Sequence, residues 1–336
     1  MSDRKKHFDL IRRGEKKPTL SGTLTFIGLR LADIPLQHAL LSHHSSSPTA
    51  LSPGSPGLGV RILTSLGIRT IFTHTSTSLP SSLLLPITAF TFSSPSSSSS
   101  SSSLSESLSS SEWSALAPFA NLTPTSLILL LMATGSAAKQ IYWHLALSQD
   151  SFPASAAVAV SGYNTLVNST NALLFLALGT TSLLSRPRIS FSSPSTSAGS
   201  SGIGSGSGSG SATSFTLLLS TVVGTILYIT GMAIETVSER QRAQFKRRPE
   251  NKGKVCKEGL WSWARHVNYF GYALWRGGYC MVGSGWIGGI IMGLWQGWDL
   301  SHRAVAVQDE YCSGRYGEQW VRFKQEVPYR IVPGVY

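Results

Sequence analysis

The apolar positions of this chain gather into long runs, and several are of membrane-crossing length. About twenty apolar residues span a bilayer as a helix. Residues 125–147, 156–184 and 214–234 meet that length with almost no charge. The run 20–41 predicts a fourth helix, interrupted by Arg30 and Asp33. Residues 60–92 are apolar but full of Thr, Ser and Pro, which leaves a span, an interfacial segment and a loop all open. Residues 270–298 are rich in glycine and tryptophan. The breaks Gly277-Gly278 and Gly283-Ser-Gly285 predict two short helices in a hairpin rather than one straight helix.

Polar intervals divide these runs. A serine run fills 93–111, and a Gly/Ser stretch runs from Ser197 to Ser211. Both have the composition of flexible linkers without a role in chemistry. The second contains a GxG pattern, but no strand precedes it and a membrane run follows, so it is no dinucleotide fingerprint.

Charge sharpens the picture. Only 13% of the 336 residues are charged, and the net charge is +12. In a soluble protein that excess points to nucleic acid. Here the basic residues sit at 4–17, at 240–257 and in the tail after Ser301, which predicts a cytosolic membrane face and a phosphate-bearing ligand, with no nucleic-acid partner. Clusters 4–17 and 240–257 share a side if an even number of spans separates them, and the four runs 20–41, 125–147, 156–184 and 214–234 supply that number. The segment 270–298 then enters and returns. The expected fold class is all-α: a polytopic transmembrane bundle with a C-terminal helical hairpin and a cytosolic tail. Residues 1–234 form its N-terminal helical part and residues 235–336 its C-terminal, cofactor-binding region. Three cysteines, Cys256, Cys280 and Cys312, show no CxxC pair, so neither a disulfide framework nor a metal site is expected. The basic N-terminus lacks the apolar core and cleavage signal of a secretory leader.

Candidate chemistry collects after residue 234. Glu235, Glu239, Arg242 and Lys246 recur at spacings of four, three and four, and so share one helical face. Such a face is either a solvated row of ion pairs or the wall of a site in which carboxylates orient basic groups toward phosphates. Arg265-His266-Val267-Asn268-Tyr269 follows. Arg donates bidentately to phosphate, His carries a proton near neutral pH, Asn reads an amide or ribose hydroxyl, and Tyr stacks or donates. Trp261, Trp263 and Tyr269 also suit an interfacial aromatic belt. Tyr316, Trp320 and Phe323 make an aromatic stripe on a short amphipathic helix, and Val327-Pro-Tyr-Arg-Ile-Val-Pro predicts an extended ending. Within the membrane runs, Asn164, Asn168 and Asn171 form one polar stripe, which serves interhelical hydrogen bonds or lines a cavity. Lys139 lies near the end of its helix, where it can snorkel to the interface. His38, His43 and His44 lack the paired spacing of a di-iron oxygenase, and no HExxH, P-loop or GxSxG is present.

Three blocks in order resemble the C-terminal region of membrane-bound steroid 5-alpha-reductase-like proteins, a family that includes the ergosterol-pathway sterol reductases and a large fungal-type branch. They are Glu235-Thr-Val-Ser-Glu-Arg-Gln-Arg-Ala-Gln-Phe-Lys246, Gly259-Leu-Trp-Ser-Trp-Ala-Arg-His-Val-Asn-Tyr-Phe-Gly271, and Tyr316-Gly-Glu-Gln-Trp320 with Val327-Pro-Tyr-Arg330. The resemblance implies a helical fold in an internal membrane, the endoplasmic reticulum by default, with both termini cytosolic. It implies NADPH in a cytosol-facing pocket and hydride delivery to a carbon–carbon double bond of a sterol or other lipid. Carried over by position, Glu235, Arg242, Arg265, His266, Asn268, Tyr269, Tyr316 and Arg330 become cofactor-pocket residues, with His266 and Tyr269 the proton-handling candidates. Two departures stand out: Val267 replaces the usual proline, and Tyr272 stands where the family carries an acidic residue. A methyltransferase of the isoprenylcysteine type, binding S-adenosylmethionine, shares a related Arg-His loop and is the alternative. A non-catalytic relative that keeps the fold is the third.

Overall fold

The computed structural model describes residues 19–42, 56–72, 122–148, 151–178, 180, 188–192 and 214–336. The basic cluster 4–17, the serine run 93–111, the Gly/Ser stretch 197–211, His43, His44 and most of 60–92 lie outside the described residues.

The described chain is mostly helical. Helix α1 spans Leu20–Leu41, α2 Leu58–Ser65, α3 Pro124–Tyr142, α4 Ala154–Leu176, α5 Leu219–Arg247, α6 Val267–Asp299, α7 Val305–Tyr316 and α8 Glu318–Glu326. Two departures from a purely helical reading matter. Residues 214–218, expected as the start of a membrane helix, form strand β2 and pair antiparallel with β1 (Arg188–Ser192), Arg188 opposite Leu218. The helix therefore begins at Leu219, and it continues past residue 234 to Arg247. Residues 58–65 form only two turns, too short for a span.

Among the described residues, two helical stretches are long and apolar enough to cross a membrane: Leu219–Arg247 and the continuous run Val267–Tyr316. Helices α1, α3 and α4 have crossing length but are less apolar. Their polar positions point inward. Arg30, Asp33, Gln37, Ser136, Asn164, Asn168 and Asn171 are all buried.

Glycine sets the closest helix contact. A Cβ on Gly224 would lie 2.7 Å from the Gly278 carbonyl oxygen, and one on Gly231 would lie 2.5 Å from that of Gly271. The pairing 224 to 278 and 231 to 271 makes α5 and α6 antiparallel, with backbones in contact at seven-residue intervals. This is the small-residue packing that membrane helices use in place of a hydrophobic driving force. Gly277-Gly278, expected as a break, stays helical, and Gly278 serves that approach. The backbone leaves helical geometry instead at Ser284 and Gly285, where Gly285 has φ +70°. Beyond it the chain folds back, since a Cβ on Gly277 would lie 3.1 Å from the Cα of Gly293. An alanine at position 285 forces a left-handed backbone on a residue with a Cβ. Gly285→Ala is expected to destabilise by about 1–2 kcal/mol, read as a lower thermal midpoint of the detergent-solubilised protein.

The aromatic stripe near the end of the chain is split rather than carried on one helix. Gly317, with φ +54°, separates α7 from α8. Tyr316 closes α7, while Trp320 and Phe323 of α8 are buried with Val255, Cys312 and Val327. After Val327 the chain is irregular and turns at its end rather than running extended, with the amides of Ile331 and Val332 both donating to the Tyr336 carbonyl.

Candidate functional site

The face predicted on residues 235–246 meets the head of α6. Glu239 is buried, and both its oxygens are engaged. One accepts from Arg242 Nη2 at 2.6 Å and the other from Asn268 Nδ2 at 2.8 Å. A carboxylate thus orients both the cation and the amide that the sequence singled out. The Arg242 guanidinium lies 5.1 Å from the centre of the Trp261 ring, and the Trp261 indole donates to the Ser238 carbonyl at 2.7 Å. The Leu260 amide donates to Gln241 Oε1 at 2.9 Å. The Gly259–Ser262 turn is therefore latched to α5, and Trp261 is a packing residue rather than an interfacial one. Trp263 is exposed, as a belt residue would be.

His266, immediately before α6, is 4% exposed. Its ring stacks on Tyr269 with centroids 5.3 Å apart and planes 7° apart, and it meets Trp320 edge-on at 6.4 Å. The field of Arg242 reaches both Tyr269 and Tyr316. Glu239, Arg242, His266, Asn268 and Tyr269 thus share one rim around the start of α6, while Tyr316 packs against the neighbouring cluster of Val255, Cys312 and Trp320. That start adds the positive dipole end of a long helix, which suits an anion.

Arg265 and Arg330 stand beside this rim and fasten the tail. Arg265 Nη1 donates to the carbonyls of Val327 at 2.9 Å, and of Lys324 and Pro328 at 3.2 Å each. Its own amide donates to the Tyr329 carbonyl, and the His266 amide to that of Arg330. Burial, and then the nearby Arg330 charge, pull Arg265 below the ordinary guanidinium range. Arg330 Nη1 donates to the Tyr336 hydroxyl at 3.1 Å, and that hydroxyl also bonds Ser301 Oγ at 2.8 Å. These bonds, Ser301 first, hold Tyr336 below the usual phenol range.

Glu235 lies one turn deeper and apart from the rim. Its carboxylate pairs with Lys139 and accepts from the Trp275 indole at 2.6 Å. Lys139 therefore has a partner across the bundle.

Beyond Glu235 the polar stripe becomes a buried network. Asp33 accepts from Arg30 at 3.1 Å, Gln37 at 3.0 Å and Asn168 at 2.7 Å. Arg276 is wholly buried and was not picked out by its neighbours in sequence. It donates to Asn164, to Asn168 Oδ1 at 3.4 Å and to the Tyr272 hydroxyl at 3.5 Å. Its guanidinium lies 4.3 Å from the Trp275 ring centre and 5.7 Å from those of Tyr163 and Tyr272. Asn171 bonds the Tyr279 carbonyl at 2.9 Å. The three asparagines thus do link helices. The overlooked signal was the lone cation inside an otherwise uncharged apolar run, since an ionisable residue there is costly, by about 2.5–3.5 kcal/mol on insertion scales, and usually functional.

Residues 201–298 match the family model described as "Protein of unknown function (DUF1295)". The chain is 32% identical over 190 residues to the "Probable O-methyltransferase ustE" of Ustilaginoidea virens, covering 56% of this chain and 58% of that protein. It is 29% identical over 160 residues to the Delta(14)-sterol reductase of Neurospora crassa, covering 34% of this chain and 32% of that protein. It is 37% identical over 84 residues to the Delta(14)-sterol reductase erg24 of Schizosaccharomyces pombe, covering 25% and 20%. The chain therefore spans less than two thirds of the length of each of these relatives. At the level of the family, the similarities support a membrane protein related to the sterol reductases.

Proposed function

We propose that this chain is an integral membrane reductase that uses NADPH to reduce a carbon–carbon double bond of a sterol or other lipid. The observation that carries the reading is the meeting of Arg242 and Asn268 at the head of α6, with Glu239 holding both in place and Tyr269 stacked on His266 beside them. The similarity of the C-terminal part to Delta(14)-sterol reductases supports it from a separate direction.

The rim has the chemistry a dinucleotide needs. Arg242 remains partly open to solvent, with 31% of its side chain exposed, and it and the α6 dipole end suit phosphate. Asn268 suits an amide or ribose hydroxyl, and the flat ring of Tyr269 suits a base or nicotinamide face. NADPH, when bound, supplies the hydride. Arg265 and Arg330 hold the tail that walls the rim, and Glu235 with Lys139 closes its deeper side. His266 and Tyr269 are the proton-handling pair, with His266 supporting Tyr269 through their stacked rings. In this reading residues 235–336 form the cofactor region and 1–234 the lipid side. The helices form a polytopic bundle with both termini cytosolic, in the endoplasmic reticulum, and the fold-back at Ser284 and Gly285 is a membrane hairpin.

A second reading is favoured by one observation: the O-methyltransferase similarity covers more of the chain than any of the sterol-reductase similarities given above. The same rim would then hold S-adenosylmethionine. Titration of the detergent-solubilised full chain separates the two. Saturable NADPH binding, weakened about tenfold by Asn268→Ala through loss of a hydrogen bond to the cofactor, supports the reductase. Binding of S-adenosylmethionine alone supports the methyltransferase. Binding of neither points to a non-catalytic relative, for which Tyr272 in the family's acidic position is the motive.

A further inference from the structure

The interior network holds two guanidinium groups and one carboxylate among the described residues. Asp33 is the counter-ion of Arg30, and Arg276 has only neutral partners. Arginine does not shed its proton, so burial leaves Arg276 charged and uncompensated. Both buried arginines also keep an unpartnered Nε–H, and the Gln37 and Gln140 side-chain oxygens beside them lack donors. Buried polar groups are ordinarily satisfied, so a cluster left this way lacks a partner that none of the described residues provides.

We infer that Arg276 is the centre of an anion site inside the bundle, built for the carboxylate of an amphiphilic substrate. A carboxylate supplies the missing negative charge and accepts from the free N–H groups. A hydroxyl near it would satisfy the amide oxygens. The rings of Trp275, Tyr163 and Tyr272 around the guanidinium offer an apolar surface to the body of such a molecule. Tyr272 bonds Arg276 through its hydroxyl, so the tyrosine in place of the family's acidic residue leaves that cation without the one carboxylate the position would have brought. The inference names the substrate class for the enzyme proposed above and rests on a bundle open to lipid. It does not depend on which cofactor occupies the rim.

The test uses the full chain in neutral detergent, with oleate, methyl oleate and sodium chloride as probes. Oleate is expected to raise the thermal midpoint saturably, methyl oleate to do so at least tenfold more weakly, and Arg276→Gln to abolish the difference. Because Arg276→Gln can unfold the bundle, Asn164→Asp is the second variant. It places a carboxylate against Arg276, and is expected to raise the midpoint without ligand and to remove the oleate response. Equal response to acid and ester overturns the site. So does saturation by chloride alone, which would mark a resident counter-ion, and so does an unchanged oleate response in Asn164→Asp. NADPH titration of the same samples reports on the rim separately, so failure of either reading leaves the other visible.

Discussion

Asp33→Ala is expected to cost about 3–5 kcal/mol, enough to remove most folded protein from the membrane fraction. The carboxylate is 2% exposed and accepts from three side chains on two helices, Arg30 and Gln37 of α1 and Asn168 of α4. Its loss strands Arg30 beside Arg276 with no counter-charge between them. The loss of a charge, rather than of volume, is what does the damage. Arg30→Met combined with Asp33→Leu is therefore expected to recover much of the stability, because a buried pair replaced by well-packed apolar groups is often neutral. Size-exclusion profiles and thermal midpoints in detergent check both. A double variant as unstable as the single one would show that Asn168 and Gln37 depend on the carboxylate more than Arg30 does.

The second large effect lies at the contact of α5 with α6. In Gly278→Leu the new Cβ alone would meet the Gly224 carbonyl oxygen at 2.5 Å and the Tyr228 amide nitrogen at 2.6 Å. Both are backbone atoms, which cannot turn aside as a side chain can. Overpacking of ordinary cores costs about 1–3 kcal/mol, and here the helices must separate along their length, so the loss is expected at or above that range. Separation also carries Trp275 away from Glu235 and Asn268 away from Glu239, so any protein recovered should bind cofactor poorly. Gly162→Leu is the control. Nothing lies within 4 Å of its Cβ position, and the change is expected to be silent. Equal damage from both would show that the cost does not arise at the α5–α6 contact, since leucine is a better helix former than glycine and propensity alone predicts no loss.

These residues also show what the sequence carries and what it hides. The bounds of α1 are legible because the run 20–41 keeps crossing length despite Arg30 and Asp33, but only the fold shows that those two interruptions pair with each other. Two sequence clusters, 235–246 and 265–269, were legible as polar groups, and the fold brings Glu239 and Arg242 of the first against Asn268 of the second. Spacings of three and four put Glu235, Glu239 and Arg242 on one face, yet only the fold shows that Glu239 turns to Asn268 while Glu235 turns to Lys139 and Trp275. Glycine is ambiguous in sequence, because the missing Cβ serves a break and a close approach equally. Gly278 serves approach and Gly285 serves the break, and the difference lies in a partner helix about fifty residues away in the chain. Strand β2 was hidden for the same reason. Ser-Phe-Thr-Leu-Leu is apolar enough to extend the following helix, and its partner at 188–192 lies across the Gly/Ser stretch.

The fastening of Arg265 has a bearing on how the protein is made. Its guanidinium binds the carbonyl of Pro328, 63 positions downstream. The start of α6 therefore cannot make its final contacts until that later segment has been synthesised, although α5 and α6 precede it in the chain. For that interval the nascent chain carries an unclasped rim, and the wall that Arg265 fastens is still missing.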